Sequence, residues 1–386
     1  MPSMRIEVLR QQLRDARAVP DPDAPDSPEA RALADGQARL RIDRFALTAN
    51  NVTYAAFGDA MGYWRFFPAT AADRGVVPVW GFAEVVESRH GALPLGERFY
   101  GFWPMASHLV VTPSRVGSDG FTDGAPHRAE LPSIYNRYLR GPAAPPDVED
   151  RRALLQPLFT TAFLIDDFLA EARFFDAGQV LLSSASSKTA WSTAFCLSRR
   201  DPRERPRIVG LTSGGHLDAV RALGLYDEVC AYDDLERLDA DVRSVYVDMA
   251  GSAPLRRQVH ARWGDRLGHS AAVGGAHWQA IGGAEGLPGP RPTLFFAPAQ
   301  AAKRAEPPPK GWGRDGPDGL PQRVDAAWRG LVAWLERPGA PTLHLDRAAG
   351  ADATAQAWTR LVDGAIAPDV GLVRGLGAAL DSSPGA

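Results

Sequence analysis

Residues 180–191 read Val-Leu-Leu-Ser-Ser-Ala-Ser-Ser-Lys-Thr-Ala-Trp: an apolar run, then small hydroxyl-bearing side chains, then the start of a helical pattern. At the carboxyl end of a buried strand, such a turn presents backbone N–H groups and a helix N-terminus to a phosphate. The ligand must approach the backbone, so small side chains are required. Ser183, Ser184, Ala185, Ser186, Ser187, Lys188 and Thr189 are the candidate contacts. Against the dinucleotide fingerprint G-x-G-x-x-G, the three glycine places hold Ala185, Ser187 and Ala190, a degenerate match. Two other readings stay open. Ser187-Lys188-Thr189 resembles the end of a P-loop whose glycines are missing, and a serine-rich N-cap of an ordinary helix uses the same residues.

About twenty residues on, at the distance the fingerprint demands, a second apolar run, 207–211, ends in Thr212-Ser213-Gly214-Gly215-His216. An NAD site places Asp or Glu at this strand end to hold the ribose hydroxyls. None is present. A polar, uncharged end leaves room for a 2′-phosphate, so NADPH is the expected cofactor, with Thr212, Ser213, His216 and Lys188 around it. A simple turn is the competing reading. Lys188 is conspicuous because the chain has only three lysines.

These turns can share one ligand only if their strands lie side by side. From residue 178 onward, short apolar runs alternate with helical patterns (179–182, 189–200, 207–211, 217–223, 228–231 and 244–249), which predicts βαβ units and a parallel sheet covered on both faces. The N-terminal half differs. Residues 37–45 alternate apolar and polar as a half-buried strand does, and 80–87, 98–103 and 107–111 are further strands separated by Gly and Pro. Residues 20–28 read as a loop, 142–150 as an exposed linker, and 151–175 as a helix.

A length of 386 residues favours two domains, and 45% hydrophobic residues are enough for a sizeable core. A net charge of −3 excludes a strong electrostatic footprint for nucleic acid or an anionic membrane, so the expected partner is a small molecule. Cys196 and Cys230 are too few for a disulfide framework and read as buried thiols of a reducing compartment. No signal-like N-terminus and no run of about 18 apolar residues is visible, which predicts a cytoplasmic protein.

In order and spacing, residues 37–290 resemble the zinc-independent medium-chain dehydrogenases/reductases, the quinone oxidoreductases and enoyl reductases, and within them the DUF2855-type branch. Residues 180–200, 208–213 and 220–229 are similar to the cofactor half of that superfamily. Asn50-Asn51-Val52-Thr53-Tyr54 is similar to its N-P-V-D-Y segment, 78–86 to P-G-H-E-F-A-G-V-V, and 95–101 to V-G-D-R-V-Y-G. The resemblance implies an α/β protein with two domains, a GroES-like β-rich domain (1–150, completed by 291–386) and a Rossmann-type cofactor domain (151–290), with NADPH in the cleft between them. A homodimer joined through a sheet edge is common in the superfamily.

The departures are informative. Trp80-Gly81 stands where zinc-dependent members have His-Glu, and no cysteine precedes residue 196, so no metal is expected. His260, His269 and His277 read as surface or core residues. The enoyl reductases also point to the segment after Asn50, where Tyr54 or Tyr63 is the expected hydrogen-bond donor to a developing oxyanion and Asn50 a cofactor- or carbonyl-contacting amide. Packing and turn formation are the competing roles of these three residues. The implied activity is hydride transfer from NADPH to a conjugated carbonyl (quinone, enone or enoyl thioester). The alternative is a non-catalytic NADP(H)-binding sensor or scaffold with a degenerate turn. The aromatic run 63–68, with Trp80, Phe102 and Trp103, reads either as core or as the lining of an apolar substrate slot.

Overall fold

A computed structural model describes residues 2–141, 143–273, 285–313, 316, 318–376 and 380. It is mixed α/β and divides into two compact units, Met1–Leu155 with Leu343–Ala386, and Gln156–Thr342. His277 lies outside the described residues.

The first unit is built on a nine-stranded sheet whose main path runs His344–Ala349, Val370–Gly375, Ala38–Leu47, Pro78–Ser88, Arg98–Pro104, Arg137–Arg140, Gly120–Asp123 and Pro113–Gly117. His108–Val111 also pairs with Ala38–Leu47. That central strand is buried along nearly its whole length rather than on one face, and it has antiparallel partners on both edges. Gly81 is required in the neighbouring strand, since a Cβ there would lie 2.1 Å from the Arg44 carbonyl oxygen. The C-terminal return is a parallel pair, His344–Ala349 and Val370–Gly375, joined by the helix Ala351–Val362. Trp358 of this helix is fully buried and donates Nε1–H to the Leu13 carbonyl at 2.6 Å, tying the return to a three-stranded N-terminal sheet.

The second unit holds a six-stranded parallel sheet in the order Glu228–Ala231, Arg207–Thr212, Gln179–Leu182, Ser244–Asp248, Leu267–Ala272 and Thr293–Leu294. Strand order reverses between Gln179–Leu182 and Ser244–Asp248, which makes their carboxyl ends the topological switch point where such sheets receive ligands. Leu181, Val209, Leu211, Tyr246, Val259 and Trp263 fill one face of the sheet, as the apolar runs require.

Two expectations are corrected. Residues 291–342 belong with the parallel sheet and not with the β-rich unit. Thr293–Leu294 extends that sheet, Arg304 pairs with Asp167 at 2.7 Å, and Trp334 of the helix Leu320–Leu335 packs on Trp191 and Phe195. Residues 146–150 are helical rather than an exposed linker: the helix Pro146–Glu171 opens on proline with Asp147 and Glu149 in its first turn. Glu149 and Asp150 are buried because Arg98, Arg44 and Arg347 neutralise them. This helix is also long and apolar enough by composition to cross a membrane, but 61% of its apolar window is buried inside the protein, the mark of a core helix.

Cys196 and Cys230 are free and buried. His260 is a satisfied core residue, bonded through Nδ1 to the Pro288 carbonyl and through Nε2 to Ser270, while His269 stacks on Phe175.

Candidate functional site

The strand Gln179–Leu182 delivers the chain to the switch point, and its first polar residue turns inward. Ser183 is fully buried; its hydroxyl donates to Asp248 Oδ1 at 3.1 Å and accepts the N–H groups of Met249 and Ala250 at 2.9 and 3.0 Å. One donor and two acceptor sites are all a serine hydroxyl has, so Ser183 bridges two strand ends and has nothing left for a phosphate. Asp248 is held in turn by Arg256, Nε and Nη2 at 2.9 and 2.7 Å, and by the Gly251 N–H at 2.9 Å.

The rest of the turn lies over this floor. Ser184 adopts φ 52°, the left-handed conformation usually left to glycine, and its N–H donates to the Tyr232 hydroxyl at 3.0 Å. Ala185 is buried, its N–H on the Leu211 carbonyl and its carbonyl on the Tyr226 hydroxyl. Ser187 is the N-cap of the helix Lys188–Ser198, accepting from the Ala190 N–H at 3.3 Å. Both halves of the sequence reading are therefore present, a capped helix and an opening of small residues. Ser184, Ser186, Ser187, Lys188 and Thr189 are each partly exposed. This rim carries hydroxyls, one ammonium and a helix N-terminus, donors of the kind a diphosphate accepts. The side chains of Ser183 and Ala185 are buried beneath it.

At the end of Arg207–Thr212 the predicted group divides. Thr212 is buried as the last residue of its strand, whereas Ser213 is exposed and its hydroxyl lies 2.9 Å from His216 Nδ1. No carboxylate occupies residues 212–216.

The predicted donors meet in the β-rich unit. Asn50 and Tyr54 lie one helical turn apart on Ala49–Ala56. Trp80 Nε1 donates to the Tyr54 hydroxyl at 3.4 Å. The neighbouring Asn51 is structural: its Oδ1 accepts from the Thr48 N–H and its Nδ2 donates to the Pro78 carbonyl. Tyr63 lies 3.2 Å, hydroxyl to hydroxyl, from Tyr135, whose ring meets that of Tyr54 edge-on. The rings pack tightly, with Tyr54–Tyr63 and Phe102–Tyr135 centroids each 4.5 Å apart. Burial pushes Tyr54, Tyr63 and Tyr135 above the ordinary phenol value, so all three are neutral donors at physiological pH.

Tyr135 was not among the predicted residues. It sits on a short 3-10 turn, Ser133–Asn136, in a stretch with no periodicity, and only long-range packing brings it to the site. Of the aromatic run, Phe66, Phe102 and Trp103 are fully buried core, while Trp80 remains partly exposed and stacks on Tyr100. Tyr100 and Phe82 line a cavity of about 170 Å³ with Arg98, Glu149 and Arg152. Among the described residues no group of three or more His, Cys, Asp or Glu side chains is arranged to hold a metal ion.

Residues 45–367 match the family described as "Protein of unknown function (DUF2855)". No curated protein matches the sequence. Among solved structures, CurA from Vibrio vulnificus in complex with NADPH is similar with a TM-score of 0.58 at 11% identity, over 97% of this chain and 99% of that one. The CurK enoyl reductase gives 0.53 at 13% identity, over 97% and 100%. The yhdH oxidoreductase from Salmonella enterica in complex with NADP gives 0.51 at 14%, over 97% and 99%. Identities this low establish a shared fold, and the family match spans most of the sequence: the chain belongs to the DUF2855 family, built on the fold of the medium-chain dehydrogenases/reductases.

Proposed function

We propose that this protein is an NADPH-dependent reductase of conjugated carbonyls (a quinone, an enone or an enoyl thioester) that works without a metal. The observation that carries the reading is the turn 184–189, small-sided and partly exposed, opening onto a helix at the switch point of a parallel sheet. Two structural neighbours crystallised with NADPH or NADP support the choice of coenzyme.

When bound, NADPH supplies a hydride to the electron-poor carbon of the acceptor. The protein's own residues do the rest. Hydroxyls of Ser184, Ser186, Ser187 and Thr189 with the Lys188 ammonium bind the diphosphate. Ser213 and His216, at a strand end without a carboxylate, receive the 2′-phosphate. Tyr54 donates to the acceptor oxygen as charge develops there. It is preferred to Tyr63 because the Trp80 Nε1–H donates to its oxygen and stabilises its conjugate base.

A second reading, a dinucleotide-binding sensor without turnover, is favoured by one contact: the Tyr232 hydroxyl takes the Ser184 N–H, a backbone donor that a diphosphate would otherwise use. Titration with NADPH while following nicotinamide fluorescence tests binding. Oxidation of bound NADPH by a panel of quinones and enones then separates enzyme from sensor. No fluorescence change would overturn both.

A further inference from the structure

We infer that the cavity between the sheet face at Phe82 and Tyr100 and the start of the helix Pro146–Glu171 is a binding site for a neutral, one-ring phenol, with the Tyr100 hydroxyl as its hydrogen-bond partner. The inference stands apart from the reductase reading and needs no coenzyme. Phe82 and Tyr100 lie directly opposite each other on neighbouring strands, their ring centres 5.2 Å apart and tilted by 53°. They form one wall of the cavity, and Val148, Glu149 and Arg152 of the helix form the other. An apolar cavity of about 150 Å³ holds benzene. The volume of about 170 Å³ here therefore suits a single six-membered ring.

The polar groups of the walls decide what kind of ring. Arg98 donates through Nε and Nη2 to the two oxygens of Glu149 at 2.7 and 2.6 Å, and through Nη2 to Asp43 at 2.7 Å. Glu149 also meets Arg44 Nε at 3.3 Å and the Ala144 N–H at 3.4 Å. The guanidiniums of Arg98 and Arg152 lie over the rings of Phe82 and Tyr100, at 5.4 and 4.7 Å from the ring centres. Acid and base are thus turned towards each other, which leaves few partners for a cluster of waters, each of which needs two to four. The Glu149 carboxylate in the wall disfavours an anion. Tyr100 is different: it is 5% exposed, and among the described residues its hydroxyl has no hydrogen-bond partner. Burial keeps that phenol protonated. A buried hydroxyl without a partner is costly, and the oxygen of a bound phenol removes the cost by accepting its proton or donating to its lone pairs. Tyr100 also stacks on Trp80, at 5.6 Å and 24°, and Trp80 Nε1–H donates to Tyr54, so the site backs onto the proposed donor.

Fluorine NMR of the full-length protein with 4-fluorophenol, fluorobenzene and 4-fluorobenzoate tests this. Expected are saturable binding of 4-fluorophenol at millimolar concentration, fluorobenzene about fivefold weaker for want of the hydrogen bond, and 4-fluorobenzoate weakest. Val148 lines the cavity yet is 53% exposed, so Val148→Trp can fill the mouth without disturbing the core, and it should weaken 4-fluorophenol at least tenfold. Tyr100→Phe keeps the ring and removes only the hydroxyl; it should make 4-fluorophenol and fluorobenzene bind alike, a ratio that holds its meaning even if Val148→Trp fails to fold. No saturable binding of 4-fluorophenol, or binding indifferent to Val148→Trp, would overturn the inference. So would 4-fluorobenzoate as the tightest of the three, which marks an anion site, or a preference for 4-fluorophenol that survives Tyr100→Phe. Because no coenzyme is present, none of these outcomes bears on the reductase reading.

Discussion

At the scale of single residues, burial decides which hydroxyls of the turn 183–189 are open to a ligand. Ser183 was expected on a phosphate, but its hydroxyl is consumed in joining two strand ends. A string of four serines and an alanine cannot reveal which hydroxyl points inward, since that depends on strands 65 residues apart. Replacing Ser183 with Ala should leave the Met249 and Ala250 N–H groups unpaired in a dry site and destabilise the protein by about 1–3 kcal/mol, with NADPH affinity unchanged. Denaturant midpoints and fluorescence titration measure the two. Weakened binding at unchanged stability would return Ser183 to the phosphate. Lys188 carries the opposite prediction. Lys188→Ala should weaken NADPH and NADH equally, as an ammonium on the diphosphate requires, and a larger loss for NADPH would move it to the 2′-phosphate instead. Tyr135 lay beyond the reach of sequence reading, because neither spacing nor periodicity marks a loop residue held in place by an arginine seven positions earlier.

At the scale of elements, strands and helices with a strong period were legible, and the segments between them were not. Residues 207–211 and 244–249 announced themselves as apolar runs, and the sheet they build follows from parallel packing. The acidic segments misled, because charge in a sequence reads as solvent exposure until its partners are known. Asp147, Glu149 and Asp150 open a helix and face arginines. The loop at 20–28 is likewise a loop, but its carboxylates act as a surrogate strand. Asp21 accepts from the His108 N–H at 2.7 Å and from Ser107 at 2.7 Å, and Asp23 accepts from the Val110 N–H at 3.0 Å. Ser107 also contacts His108 Nδ1 at 3.0 Å, so a buried acid and a buried imidazole share one hydroxyl. Burial pushes Asp21 up to about 6 and His108 down to about 4. The signs then oppose. A raised acid is better protonated in the folded state, so its contribution to stability falls as pH climbs from about 4 to 6; a depressed imidazole must stay neutral, so its contribution rises from about 4 to 6.5. Each slope is at most about 1.4 kcal/mol per pH unit. In denaturant melts across this range, the stability of Asp21→Asn minus wild type should rise with pH and that of His108→Gln minus wild type should fall. Differences of the same sign would show that the two groups do not oppose each other.

At the scale of the whole molecule, the fold was legible in the order of its worn motifs, but the boundary of the cofactor unit was not. The strand Thr293–Leu294 has only two residues, yet it is the outermost strand of the parallel sheet and keeps residues 291–342 in that unit. An outer strand presents unpaired N–H and C=O groups, and natural proteins usually protect such an edge with charge, proline, a covering element or a second copy. Here both strand residues are exposed, and Leu294 is 62% accessible, one of only three large apolar side chains so exposed among the described residues. A two-fold axis beside this strand would pair it with its own copy, extending the sheet through both subunits and covering Leu294 on each side. The wild-type protein should therefore sediment as a dimer, and Leu294→Arg, which places like charges opposite each other across the axis, should sediment as a monomer that still binds NADPH. A monomeric wild type, or a dimer indifferent to the arginine, would move any association to another surface.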